Sequence, residues 1–190
     1  MFRSTGDHPA WDFSSNDYTV ELFLKPHEFK QMSQLFGQHI AAGSPGNGNP
    51  RLVYFMDQHG GLGFYSSADG YGPTTNDPCG GATPCYATGY TIGGSNRVLT
   101  LDEWNHVAYV RSGNSFRWYV NGSLVFDDPS HFPTTLTDNS NTNYIGYGRT
   151  SQGTAAYLHA KIDNLRVSKG VALYPTEFPN FVDNLQLINW

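Results

Sequence analysis

Apolar and polar residues alternate with a period of two in short runs bounded by turn residues, and no stretch of ten or more positions sustains an apolar stripe of helical period. The pattern predicts an all-β chain. Its expected strands are Tyr18–Lys25, Gln34–Ile40, Arg51–Met56, Gly63–Ser67, His106–Arg111, Phe116–Val120, Leu124–Phe126, Tyr144–Gly146, Tyr157–Ser168 and Leu185–Ile188. Asn121-Gly122 stands between Phe116–Val120 and Leu124–Phe126, and an Asn-Gly pair supplies both positive-φ positions of a type I′ turn. This turn is favoured over reading Asn121-Gly122-Ser123 as a glycosylation acceptor. In the preceding hairpin, a three-residue loop at Ser112-Gly113-Asn114 would pair Val110 with Phe116 and Ala108 with Trp118. Tyr109, Arg111, Arg117 and Tyr119 are then expected together on the other, outer face.

Composition narrows the class. A chain of 190 residues is enough for one domain, with 14% charged residues, 21 Gly and 11 Pro, which argues against helical bundles and coiled coils. The 4 Trp, 12 Tyr and 12 Phe are too many for a disordered chain. Eleven Lys and Arg against sixteen Asp and Glu give a net charge of −5, so no basic field attracts nucleic acid or anionic lipid. No apolar run reaches the length of a membrane span, and no basic segment followed by an apolar one marks a secretory signal near Met1.

Two long irregular stretches stand out, Ser66 to Asn96 and Asp127 to Asn143. Loops of that length are usually functional or disordered. The first holds Cys79 and Cys85 with five residues between them, and a local disulfide is expected over a pair of free thiols. Closing so short a loop contributes on the order of 2–3 kcal/mol and implies an oxidising environment.

Three blocks in order resemble the LamG-like jelly-roll domain of the concanavalin A-like lectin/glucanase superfamily. They are Trp11-Asp12-Phe13 through Leu24-Lys25-Pro26, then Trp104-Asn105-His106-Val107-Ala108 with Trp118-Tyr119-Val120-Asn121-Gly122, and finally Tyr144-Ile145-Gly146 with Ile162-Asp163-Asn164-Leu165-Arg166 running on to Tyr174. The resemblance implies a two-sheet antiparallel jelly-roll sandwich across residues 1–190, with long loops at one rim and often a calcium ion there. The third block is similar to LamG-like domains of tailed-phage virion and tail-fibre proteins, which implies a capsid decoration or fibre module. The N-terminus departs from the family pattern, so the chain is also a candidate piece of a longer product. Trp104, His106 and Asp163 are expected to be structural.

The same superfamily contains glucanases, but Glu21, Glu28, Glu103 and Glu177 are scattered, and none has an acid two residues away to form the close carboxyl pair of a retaining glycosidase. No Gly-x-Ser-x-Gly elbow, phosphate-binding glycine motif or paired-histidine metal motif is present. Calcium needs oxygen ligands that loops can gather from afar, and Asp17, Asp57, Asp69, Asp77 and Asp138 are candidates, each weighed against a solvated turn acid.

Two functional surfaces are expected. Sugar sites pair an aromatic plate with short polar groups, and Tyr71, Asn76, Asp77, Tyr86 and Tyr90 combine these in the loop carrying the cysteines. Packing of the same tyrosines against their own sheet is the alternative. Tyr109, Arg111, Arg117 and Tyr119 form the second, a protein interface, because Tyr and Arg are enriched in interface cores. The expectation is a non-enzymatic binding or adhesion module on a virion or extracellular surface, with a glycan or a neighbouring virion protein as partner and a homo-oligomer as one arrangement. A secreted bacterial lectin domain is the alternative, and a glucanase a remote one.

Overall fold

The computed structural model describes residues 3–4, 9–30, 33–38, 51–67, 90–92, 97–128, 142–149 and 155–174. Apart from one short turn of helix at Pro9–Trp11, the regular structure of the described residues is β. The strands are β1 (Arg3–Ser4), β2 (Tyr18–Pro26), β3 (Ser33–Gln38), β4 (Arg51–Met56), β5 (Leu62–Ser67), β6 (Tyr90–Ile92), β7 (Asn105–Ser112), β8 (Ser115–Val120), β9 (Ser123–Asp128), β10 (Asn143–Ile145), β11 (Tyr147–Arg149), β12 (Ala155–Tyr157) and β13 (Ala160–Lys169). One antiparallel sheet runs β1-β10-β3-β4-β5-β6, a second runs β13-β2-β7-β8-β9, and β11 and β12 form a two-stranded ribbon.

Alternation along the strands makes the two sheets face each other. Tyr18, Val20, Leu22 and Leu24 of β2, Val107 and Tyr109 of β7, and Phe116, Trp118 and Val120 of β8 are buried against Leu35, Phe36, Tyr54, Met56 and Leu62 of the other sheet. Aromatic rings cross the interface, with Tyr109 edge-on to Tyr54 at 4.5 Å and to Phe36 at 5.9 Å between centroids. The Tyr18 and Tyr54 hydroxyls are 2.7 Å apart and satisfy each other inside this layer. Burial pushes both phenols well above their ordinary range. The result is the expected two-sheet antiparallel sandwich.

The Asn121-Gly122 turn is as expected, with φ of 48° and 84°. The hairpin before it differs by one residue. Ser112 pairs with Ser115, Tyr109 with Trp118 and Ala108 with Tyr119, so the loop is Gly113-Asn114, with Gly113 (φ 58°) in the first central position. A one-residue slip exchanges the faces of a strand. Tyr109 and Arg111 therefore lie in the core, at 0% and 1% exposure, and the expected outer face containing them is corrected. Arg111 is tolerated there because Nη1 donates to the Ser14 carbonyl at 2.7 Å and Nε to the Gly113 carbonyl at 3.0 Å, while Asp17 accepts from Gly113 N at 2.7 Å.

The expected strand Tyr157–Ser168 is instead β12 and β13, separated by Leu158-His159. In β13 the register to β2 shifts between Asp163 and Arg166, leaving Asn164 (φ 48°) and Leu165 opposite Leu22, a β-bulge. The expected strand Leu185–Ile188 lies outside the described residues, as do Cys79 and Cys85.

Candidate functional site

A cleft of about 620 Å³ opens at the β13 edge of the sandwich. Its floor is apolar, from Ile145, Leu158, Ala160, Ile162 and Leu165, and Trp104, Lys161, Asp163 and Asn164 complete the lining. This volume is within the usual range for small-ligand sites. Local hydrogen bonds fix each wall. Gly146 N donates to the Leu35 carbonyl at 2.9 Å and Leu158 N to the Gly146 carbonyl at 3.0 Å, which ties the β10–β11 corner to the segment entering β13. Trp104 is half-buried, and the turn that carries it is stapled by the buried Asn105 side chain. That amide donates to the carbonyls of Thr100 and Glu103 at 3.0 and 2.9 Å and accepts from Thr100 N at 3.0 Å. Asn164 belongs to the bulge and Asp163 immediately precedes it, and Asp163 Oδ1 accepts from Asn164 N at 2.8 Å.

The outer face of the same sheet is an ordered set of cross-strand rows. Tyr18, Val20, Leu22 and Leu24 face the core, so Thr19, Glu21, Phe23 and Lys25 face outward. Their partners on β13 are Ser168, Arg166, Asp163 and Lys161 respectively. The chain after β13 folds back over one half of this face. Ala172 and Tyr174 pack on Ala108, Val110 and Tyr119, and the Tyr119 hydroxyl donates to the Tyr174 carbonyl at 3.0 Å. Leu173 N donates to Thr19 Oγ1 at 2.9 Å. Beneath this strap Glu21 pairs with Arg166, and Arg166 Nη2 donates to the Tyr174 hydroxyl at 3.2 Å. Burial, with Glu21 adding to it, pushes the Tyr174 phenol up to about 12. His106, stacked on Phe23 at 4.6 Å, is 2% exposed, and burial lowers its imidazole to about 4, with the Arg166 charge adding to the effect.

Beyond Lys25 and Lys161 the pairing continues one step, through a hydrogen bond of 2.8 Å from His27 N to the His159 carbonyl. The two imidazoles lie 6.0 Å apart. His27 Nδ1 is 2.7 Å from Asp102 Oδ1, and His159 Nδ1 is 3.2 Å from Glu28 Oε2. Glu28 also takes Lys30 Nζ at 3.0 Å, and that hydrogen bond is the main reason its carboxyl lies below the usual range.

The sequence-derived candidates fare differently. Tyr71, Asn76, Asp77 and Tyr86 lie outside the described residues, and Tyr90 begins β6, paired with Phe64. Of the proposed interface, Tyr109 and Arg111 are in the core, Tyr119 is 2% exposed beneath the strap, and Arg117 Nε bonds Asp127 Oδ1 at 3.1 Å. Those four side chains are not brought together on an open face. Asp17 and Asp57 each hold a turn: Asp17 Oδ1 accepts from Gly113 N, and Asp57 Oδ1 accepts from His59 N and Gly61 N at 2.8 and 2.7 Å. No group of three or more acidic, His or Cys side chains placed to hold a metal ion is found among the described residues. Asp69, Asp77 and Asp138 lie outside them. Sequence reasoning gave Trp104 and Asp163 structural roles and passed over Lys25, Lys161 and Asn164, whose juxtaposition depends on pairing across more than a hundred residues.

A family model described as the concanavalin A-like lectin/glucanases superfamily matches residues 4–177. The chain belongs to this superfamily. Among solved structures, the sandwich is similar to a sialidase CBM40 module from Ruminococcus gnavus, with a TM-score of 0.59, 14% identity, and coverage of 91% of this chain and 93% of that one. It is similar to a protein from Bacteroides ovatus assigned to carbohydrate binding, with a TM-score of 0.57, 17% identity and 90% of this chain covered. Domain 4 of AbnA, an extracellular arabinanase of Geobacillus stearothermophilus solved with arabinotriose, gives a TM-score of 0.56 at 20% identity over 89% of this chain. The chain spans 41% of the Bacteroides chain and 66% of the AbnA domain 4 chain. No curated protein matches the sequence. At these identities the likeness is one of fold.

Proposed function

We propose that this chain is a non-catalytic, lectin-like module that binds a glycan at the Trp104 cleft, displayed on a virion or extracellular surface. The observation that carries the reading is the composition of the cleft. An indole and an apolar floor suit the C–H faces of a sugar, and Asp163, Asn164 and Lys161 offer acceptors and donors to its hydroxyls. Asp163 is the single carboxyl in the lining, whereas retaining and inverting glycosidases use two, which supports binding over hydrolysis. Relatives in fold support the same class: they include the Bacteroides ovatus protein assigned to carbohydrate binding, domain 4 of AbnA in complex with arabinotriose, and the CBM40 module bound to α2,3-sialyllactose. The phage-like wording of the third sequence block supports a virion setting. A role as an assembly interface through the Tyr109 face loses its basis, because that face is in the core or under the strap.

The test is a glycan array followed by calorimetric titration of the best binder. Trp104→Ala and Asn164→Ala should each weaken binding at least ten-fold, and Asn164→Ala, on an exposed position, keeps the comparison valid if Trp104→Ala unfolds the protein. A folded chain that binds no glycan, or one whose affinity neither variant changes, overturns the reading.

A further inference from the structure

Two lysines stand directly opposite each other on β2 and β13, Lys25 and Lys161, as cross-strand partners on the outer face. Side chains so placed start about 5 Å apart, and like charges there are destabilising. Every other outer row of this strand pair is arranged without such a conflict. Glu21 faces Arg166, Thr19 faces Ser168, and Phe23 faces Asp163. Asp102 is engaged by His27 and Glu28 by Lys30 and His159, and Asp163 stands one row along the same face, opposite Phe23. Neither Lys25 nor Lys161 has an ion pair among the described residues.

Lys161 also lines the cleft, and Lys25 is half-buried beside it. In a chain of net charge −5 this is a local pair of cations, flanked by the His27 and His159 row, with Asp163 the one carboxyl beside it in the cleft lining. We infer that Lys25 and Lys161 form an anion-recognition step at the lip of the cleft, so that the preferred ligand is an acidic saccharide carrying a carboxylate or sulfate group. The inference rests on the glycan-binding reading of the cleft and specifies the ligand's charge. A carboxylate or sulfate seated between the two ammonium groups removes their mutual repulsion as it binds, which a neutral sugar cannot do.

The experiment titrates matched pairs: trigalacturonate against its methyl ester, and sialyllactose and sulfated lactose against lactose. The acidic member of at least one pair should bind ten-fold or more tightly than its neutral partner at low salt, with the advantage shrinking as salt is raised. Lys25→Ala should abolish that advantage while leaving neutral affinity in place, Lys161→Ala should abolish it while also weakening the neutral sugar, and Lys161→Arg should retain it. If carboxylate pairs respond and sulfate pairs do not, or the reverse, the anion is identified. Saccharide binding with no acidic preference, or with a preference untouched by both alanine variants, overturns this inference and leaves the glycan reading intact. Equal, lysine-dependent binding of polyaspartate overturns the saccharide assignment. Failure of the folded chain to bind any of the sugars overturns both.

Discussion

The outer face of the β2–β13 strand pair has two halves built from the same strands and the opposite use of charge. In the half under the strap, Glu21 and Arg166 are cross-strand partners, His106 lies against Phe23, and Tyr174 closes over them. In the open half, Lys25 faces Lys161 and His27 faces His159, with acids only at the margin. Covered charges must be paired, or held neutral, because desolvation penalises an isolated ion. Solvent tolerates the open arrangement at a small cost, and that tolerance leaves the lysines free for a ligand. One half of the face thus serves folding, and the other is the half proposed for recognition.

The largest expected break in this contrast is acid sensitivity confined to the covered half. His106 has an imidazole value near 4 against an ordinary 6.5, so between these pH values the unfolded chain takes up a proton that the folded chain refuses. Stability is therefore present in full above pH 6.5 and falls as pH drops toward 4, by roughly 3 kcal/mol for a displacement of this size, and then levels off in this contribution. Urea unfolding at pH 7 and pH 4.5 should show the loss, and His106→Gln should flatten that part of the profile. An unchanged profile in the variant would contradict a buried neutral imidazole.

Next in size is Glu21→Ala, which strips Arg166 of its carboxylate and Tyr174 of a charged neighbour. The expected loss is about 1–2 kcal/mol, at the low end for a charged hydrogen bond because Arg166 is 55% exposed and can turn to water. The same variant should bring the Tyr174 phenol down from about 12, seen as earlier tyrosinate absorbance in an alkaline titration. If stability and titration both stay put, the strap is not held by this cluster.

Much of this architecture is legible in one dimension and the recognition half is not. Arg51–Met56 is found as expected, and Asn121-Gly122 fixes its hairpin, because each is specified by neighbours in sequence. The slip at Ser112–Ser115 comes from expecting a three-residue loop where Gly113-Asn114 suffices, and it carries Arg111 inside, where the carbonyls of Ser14 and Gly113 satisfy it. The same slip carries Tyr109 into the core. The cleft assembles Trp104, the β10–β11 corner and β13, and no local pattern announces that meeting. Nor does the bulge at Asn164, which breaks the alternation that would have set the faces of β13. Opposed lysines become visible only when residues 25 and 161 are in register.

The smallest expected effect probes the open half and has the opposite sign. Lys161→Glu replaces a repulsive cross-strand pair with an attractive one against Lys25, and should stabilise the fold by about 0.5 kcal/mol at low salt. High salt should remove the gain, since both groups are solvent-facing and their interaction is screened. Urea midpoints at two ionic strengths measure it, alongside affinity for the acidic saccharide identified by titration. A site kept for folding would gain stability at no functional cost, whereas a site kept for an anion should gain stability and lose its ligand in the same substitution. A variant that is less stable than the parent at low salt would show that Lys25 and Lys161 do not oppose each other in solution, and with that the contrast between the two halves of the face would fail.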